Sequence, residues 1–222
     1  MCNVPNQTKK SIFFNMALAA IALFINGFGV YLTIHANIGA GPWDVFNLGI
    51  SKTFGILYGT ASIIVSGVIL SIDISLKEPI GIAMFIDAVV VGKSVDFFEY
   101  LEIIPQPNNI FASVIMIFTG LIVMGYTQFL YMHAALGCGP RDTLLIGLKK
   151  RLLHIPIGVV SIGLLSMATF IGYLLGGPVG IGTIICAFCS GPIMQFAFHT
   201  MHFQATNIYH HSLQDSLKVL FT

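Results

Sequence analysis

The sequence predicts an all-α polytopic membrane protein. Six transmembrane helices form two inverted three-helix repeats, each with an extra short helix after a Gly-x-Gly-Pro-x-Asp break. Three observations predict this. Hydrophobic residues make up 56% of the chain and charged residues 9%, with a mean hydropathy of +0.89, whereas a soluble domain carries roughly 25% charged residues. One stretch, His35-Ala36-Asn37-Ile38-Gly39-Ala40-Gly41-Pro42-Trp43-Asp44, returns as His133-Ala134-Ala135-Leu136-Gly137-Cys138-Gly139-Pro140-Arg141-Asp142. Cutting the apolar runs at Gly, Pro and charge leaves three span-length segments for each copy of that stretch.

The likeness between the halves extends well beyond the motif. Gly49 and Lys52 match Gly147 and Lys150 at the same offset, and after the equivalent of a one-residue insertion Pro79, Gly81, Gly92 and Phe97 match Pro178, Gly180, Gly191 and Phe196. Matches spread this widely mark an internal repeat.

Taken in order, residues 1–11 form a cytoplasmic N-terminus that carries Lys9 and Lys10. The run that follows, 12–35, exceeds a signal-peptide core and carries the repeated motif at its far end, so it reads as a retained first helix. A short helix spans 42–53, and Gly55 and Gly59 separate it from the second span, 56–74. The third span covers 79–100, which completes repeat 1 as 12–104. An outer linker, 105–108, leads to repeat 2 as 109–202, with spans at 109–133, 156–176 and 178–202 and a short helix at 140–153 that Pro156 terminates. The tail, 203–222, has Leu213, Leu217 and Leu220 at helical spacing and is expected to lie along the inner membrane surface.

Three spans per repeat oblige the second copy to enter the membrane from the opposite side. With both termini cytoplasmic, Lys9, Lys10, Lys77, Arg141, Lys149, Lys150, Arg151 and Lys218 fall on the cytoplasmic side, and Lys52 and Lys93 do not. The loop between the halves carries Glu99 and Glu102 without a cation, which suits an outer position.

The motif has a local mechanism. Its glycines Gly39, Gly41, Gly137 and Gly139 let the backbone turn, Pro42 and Pro140 suit a first helical position, and Asp44 and Asp142 complement the helix N-termini. Capping alone accounts for this pattern. A broken helix at membrane depth also offers N–H groups to a solute, with Asp44 and Asp142 as cation or proton contacts. Both readings hold together.

Ionisable residues inside an apolar span are costly unless paired or wet. Lys93 and Asp96, three apart, form an expected structural ion pair. Asp87 lies deeper, has no partner on its own helix and faces away from that pair, so it is the leading candidate to touch another span, a solute or a proton. Its counterpart in the second half is Cys186. Asn26 and Gln128 add hydrogen-bonding groups at depth, either as helix-to-helix glue or as solute contacts. His35 and His133 flank the two motifs as interfacial caps or as pH-sensitive groups.

Other features read as ordinary packing. Cys186 and Cys189 form a C-x-x-C pair inside an apolar span, where small core residues are the simpler reading, and Cys2 and Cys138 have no evident disulfide partner. His199, His202, His210 and His211 have no carboxylate or thiolate at ligand spacing, so no metal or cofactor is expected. A net charge of +1 gives no reason to expect nucleic acid.

The paired motifs, Gly39 to Asp44 and Gly137 to Asp142, together with this length and hydropathy, resemble the bacterial YczE/YyaS/YitT family of integral membrane proteins. The resemblance covers about 12–202. It implies a multi-pass helical fold in a bacterial inner membrane and brings no established substrate or catalytic residue with it.

Three functional classes follow. The leading one is a small secondary-transporter-like protein moving a small solute through a site between the halves. The second is a membrane accessory or scaffold protein for a partner complex, for which a homodimer or a membrane partner is also compatible with the short chain. The third, an intramembrane enzyme, has no nucleophile with a nearby base in the spans, and the chain is expected not to be an enzyme.

Overall fold

A computed structural model describes residues 9–134, 137 and 139–203, with side chains from Ile12 onward. It is all-α. Among the described residues there are eight helices: α1 (Lys9–His35), α2 (Pro42–Phe54), α3 (Tyr58–Ser75), α4 (Ile82–Leu101), α5 (Ile110–His133), α6 (Pro140–Arg151), α7 (Ile157–Leu174) and α8 (Ile181–Thr200). Each expected span and each short helix has a counterpart here. The proposed tail helix, with His210 and His211, lies outside the described residues, as do Cys2 and Cys138 of the four cysteines.

Five helices, α1, α3, α5, α7 and α8, are long and apolar enough to cross a membrane. The sequence predicts six spans. The difference is α4, which has 20 residues but carries Asp87, Lys93, Asp96 and Glu99.

The breaks follow local chemistry. Pro42 and Pro140 open α2 and α6 directly after Gly41 and Gly139, where a missing N–H costs nothing. Upstream, Gly39 and Gly137 take φ of 110° and 115°, a region that a side chain would strain. Gly55 closes α2 in a left-handed conformation at φ 65°, and Pro156 stands immediately before α7. Gly59 differs from its expected role as a breaker. It lies in the first turn of α3, and its bare Cα admits the backbone of Gly92 on α4.

Packing is organised by α1, which lies against α5 and α4; α5 in turn packs on α8, α2 on α7, α6 on α3, and α3 on α4. Small residues set these contacts, as expected where lipid gives no hydrophobic drive between helices. A Cβ on Gly120 would lie 2.6 Å from the carbonyl oxygen of Gly29, and a Cβ on Gly49 would lie 2.6 Å from that of Gly172. The two motif glycines cross to the opposite sequence repeat: a Cβ on Gly39 would meet Gly180 N at 2.7 Å, and one on Gly137 would meet Gly81 Cα at 2.8 Å. The C-terminal ends of the short helices do likewise. Lys52 Nζ donates to Gly176 O at 3.4 Å and Thr53 Oγ1 to Leu175 O at 3.0 Å. Lys150 pairs with Glu78, and Arg151 Nη2 donates to Leu76 O at 2.7 Å.

One correspondence fails. α3 packs closely on α4, but among the described residues α7 and α8 make little contact with each other. Both turn apolar side chains outward, such as Phe170 and Phe188, as lipid contact requires.

If the α1–α5 contact depends on bare glycines, Gly120→Val lowers stability by on the order of 1–3 kcal/mol, read as a lower melting temperature in detergent. Gly67, exposed and with nothing within 4 Å of its Cβ position, is the control, and Gly67→Ala leaves that temperature unchanged or slightly higher.

Candidate functional site

The N-terminal ends of α2 and α6 open onto one cavity of about 340 Å³, and all eight helices contribute to its wall. It sits at mid-length of the long helices. Ser66, Val91, Leu165 and Ser190 line it, and each falls at the middle of its helix. Of the candidates from sequence, Asp44, Asp87, Asp142, Asn26, Gln128 and Gly139 all reach this cavity.

The three carboxylates are held differently. Asp44, only 6% exposed, accepts a hydrogen bond from Tyr58 Oη at 2.7 Å, and Asn47 Nδ2 donates to that same hydroxyl at 3.4 Å. Asp142 accepts from Gln128 Nε2 at 3.5 Å. Asp87 lies against the backbone of Gly139, where a Cβ would sit 3.0 Å from Asp87 Oδ2. Carboxylate oxygens lie beside the glycine that precedes each short helix, Asp44 Oδ2 by Gly41 and Asp87 Oδ2 with Asp142 Oδ2 by Gly139, where the partial positive charge of a helix N-terminus favours them. The first turn of each short helix therefore serves the cavity as well as the helix.

A fourth charge completes the group. The Arg141 guanidinium stands 5.2 Å from the centre of the Trp43 ring, a cation–π arrangement. Its charge acts on Asp44, Asp87 and Asp142 together. Trp43 and Arg141 occupy the same motif position, the one place where Gly-Pro-x-Asp differs between the copies. The motif alone gives neither residue a site role, and the mismatch at this position is the signal in the sequence that points to them. Ser62, Ser66 and Ser161 were also missed. Ser62 and Ser66 stand four apart, hence on one helix face, and Ser161 occupies the place in the second half that Ser62 occupies in the first.

The remaining candidates lie elsewhere. His35 stacks against Tyr31 with ring centres 5.0 Å apart, and His133 packs against Phe129 at 5.8 Å; neither lines the cavity. Gly39, Gly41, Pro42, Gly137 and Pro140 shape the breaks without lining it. Asn26 both lines it and donates from Nδ2 to Thr127 Oγ1 at 2.9 Å, which ties α1 to α5. Lys93 and Asp96 sit 3.6 Å apart, and Asp96 Oδ1 accepts the Gly59 N–H at 2.6 Å, so that pair joins α4 to the start of α3. Cys186 is buried in a packing cluster with Ile117 and Leu121.

A group of three carboxylates, one guanidinium and several hydroxyls, with Asp44 buried and Asp87, Asp142 and Arg141 half-buried, can bind a charged solute or hold protons. Comparison with known proteins gives the chain a family. The family described as DUF6198, a family of unknown function, matches residues 13–199. The uncharacterized membrane protein YczE of Bacillus subtilis is 32% identical over 177 residues, covering 79% of this chain and 81% of its own. An uncharacterized protein of Haemophilus influenzae is 30% identical over 181 residues, 82% of each chain. YyaS of Bacillus subtilis is 27% identical over 198 residues, covering 84% of this chain and 94% of its own. No solved structure matches. With its match running from the first long helix to the last, this multi-pass integral membrane protein, whose homologues are bacterial, belongs to the DUF6198 family.

Proposed function

We propose that the chain is a small secondary-transporter-like protein of a bacterial inner membrane, in which two inverted three-span halves move a small solute through the cavity between them. One observation carries this reading. Corresponding residues of the two motif copies, Asp44 with Asp142 and Trp43 with Arg141, line a single cavity at mid-length of the bundle. A pair of halves related by an axis through that cavity places equivalent residues there.

Several features support the topology. With α4 counted as a span, each half has three. Its charges are placed to allow this: Asp87 faces the cavity, Asp96 accepts the Gly59 N–H, and Lys93 pairs with Asp96 at 3.6 Å. α2 and α6 run for about 20 and 18 Å at the helical rise, short of a hydrocarbon core near 30 Å. Short helices of this kind, entering from opposite faces and ending at mid-membrane, are how discontinuous helices present their N-termini to a transported solute.

In this reading Asp87 is the coupling carboxylate, Asp44 and Asp142 organise the helix ends and contact a cation, and rocking of the halves exposes the cavity to alternate sides. The contacts that cross between halves, Gly39 against Gly180 and Gly137 against Gly81, are where that rocking acts.

Uptake into proteoliposomes from a pool of labelled anions, amino acids and cations, with and without a proton or sodium gradient, tests the proposal. Gradient-dependent uptake is expected, and Asp87→Asn is expected to reduce it tenfold or more with the protein still folded. Absence of uptake of any solute overturns the reading in favour of an accessory role. Gly139→Ala provides a graded check. Its added methyl crowds the Asp87 carboxylate, so uptake falls several-fold, whereas Gly163→Ala, with open space at its Cβ position, leaves it unchanged.

A further inference from the structure

We infer that the cavity takes a small organic cation with an apolar body, such as an arylalkyl ammonium, and that Arg141 occupies the cation's place when the cavity is empty. The inference rests on the transporter reading for its physiological sense, but its geometry stands apart from any flux.

Charge selects the sign. Asp44, Asp87 and Asp142 face one guanidinium, and an arginine keeps its charge in proteins. Among helices that are otherwise apolar, the surplus carboxylates favour a proton or a cation as partner, and an entering anion would meet all three. Prior engagement then selects the anchor. Asp44 is held by Tyr58 and Asp142 by Gln128, whereas Asp87 has only the distant field of Arg141 as a favourable partner and, among the described residues, receives no hydrogen bond. Asp87 is the carboxylate left to pair with a solute.

The rest of the wall selects the body. Trp43, Met124, Met194 and Leu164 give it an aromatic and apolar side, suited to a ring or a short alkyl chain and to cation–π contact. A volume of about 340 Å³ falls at the lower end of the roughly 300–1,000 Å³ typical of small-molecule sites. The described residues hold no group of three His, Cys, Asp or Glu placed for a metal ion, so the charge and the apolar wall together fit an organic cation better than a bare one. Arg141 already shows one part of the mode of binding, a cation seated on Trp43 at the cavity wall.

The protein carries its own reporter, since Trp43 is its one tryptophan and lines the cavity. Purified full-length protein in detergent is titrated with benzylammonium, benzyl alcohol and benzoate, which match in shape and differ in charge, while Trp43 fluorescence is followed. A saturable response to benzylammonium alone is expected, with Kd raised at least tenfold in Asp87→Asn and lowered several-fold in Arg141→Gln, because the competing internal cation is gone. Saturable benzoate binding lost in Arg141→Gln overturns the inference in favour of an anion site. Equal binding of all three overturns it in favour of a charge-blind apolar pocket, and no saturable response from folded protein overturns it outright. The unaltered chain alone decides among these, so a variant that fails to fold does not block the test. Cation binding without uptake in proteoliposomes retires the transporter reading and keeps this site; uptake of an anion retires the cation assignment and keeps transport.

Discussion

The structure depends on accommodating the charge gathered at its centre. Three aspartates and one arginine lie among helices that are otherwise apolar, where an uncompensated ion costs several kcal/mol. The compensation comes from several sources at once. Arg141 shares its field among the three carboxylates, Tyr58 and Gln128 donate to two of them, and both short helices direct their N-termini inward. Without two broken helices ending at the same place, that convergence has no scaffold.

The glycines make the convergence sterically feasible. Where α1 meets α5, α2 meets α7 and α3 meets α4, backbone approaches backbone, and a methyl group on Gly120, Gly49 or Gly59 meets a carbonyl oxygen of the neighbouring helix. Close approach brings eight helices to one small cavity instead of leaving a wide pore. It also fixes the motif itself, because Gly39 and Gly137 fit only where the partner half offers Gly180 and Gly81. The halves are thus held together at their breaks, and the looser meeting of α7 with α8 is the one departure from an otherwise matched set of contacts.

Much of this was legible in the sequence, and the limits have physical causes. Helix breaks were readable because Gly-x-Gly-Pro permits few backbone conformations, and α2 and α6 begin at Pro42 and Pro140 as the motif implies. Asp87 stood out because a carboxylate deep in an apolar run needs an external partner, and it does face the cavity. Arg141 did not stand out. It follows a proline near three further cations, so it counted only as one of the charges on the cytoplasmic side, and its contact with Trp43 of the other half is visible only in the fold. The role of Gly59 was likewise hidden: a glycine that breaks a helix and one that admits a neighbouring backbone are identical in sequence, and only the position of Gly92 distinguishes them. The two histidines were attractive because they recur beside the motif, and such a position reports equivalent surroundings without reporting what those surroundings contact.

The proposal depends most on the two short helices entering from opposite membrane faces. In a cysteine-free background, single cysteines placed at Lys52 and at Lys149, near the outer ends of α2 and α6, are labelled with a membrane-impermeant maleimide in sealed vesicles of one orientation. The account predicts labelling of the Lys52 position from the periplasmic side only and of the Lys149 position from the cytoplasmic side only. Labelling of both from the same side would contradict it.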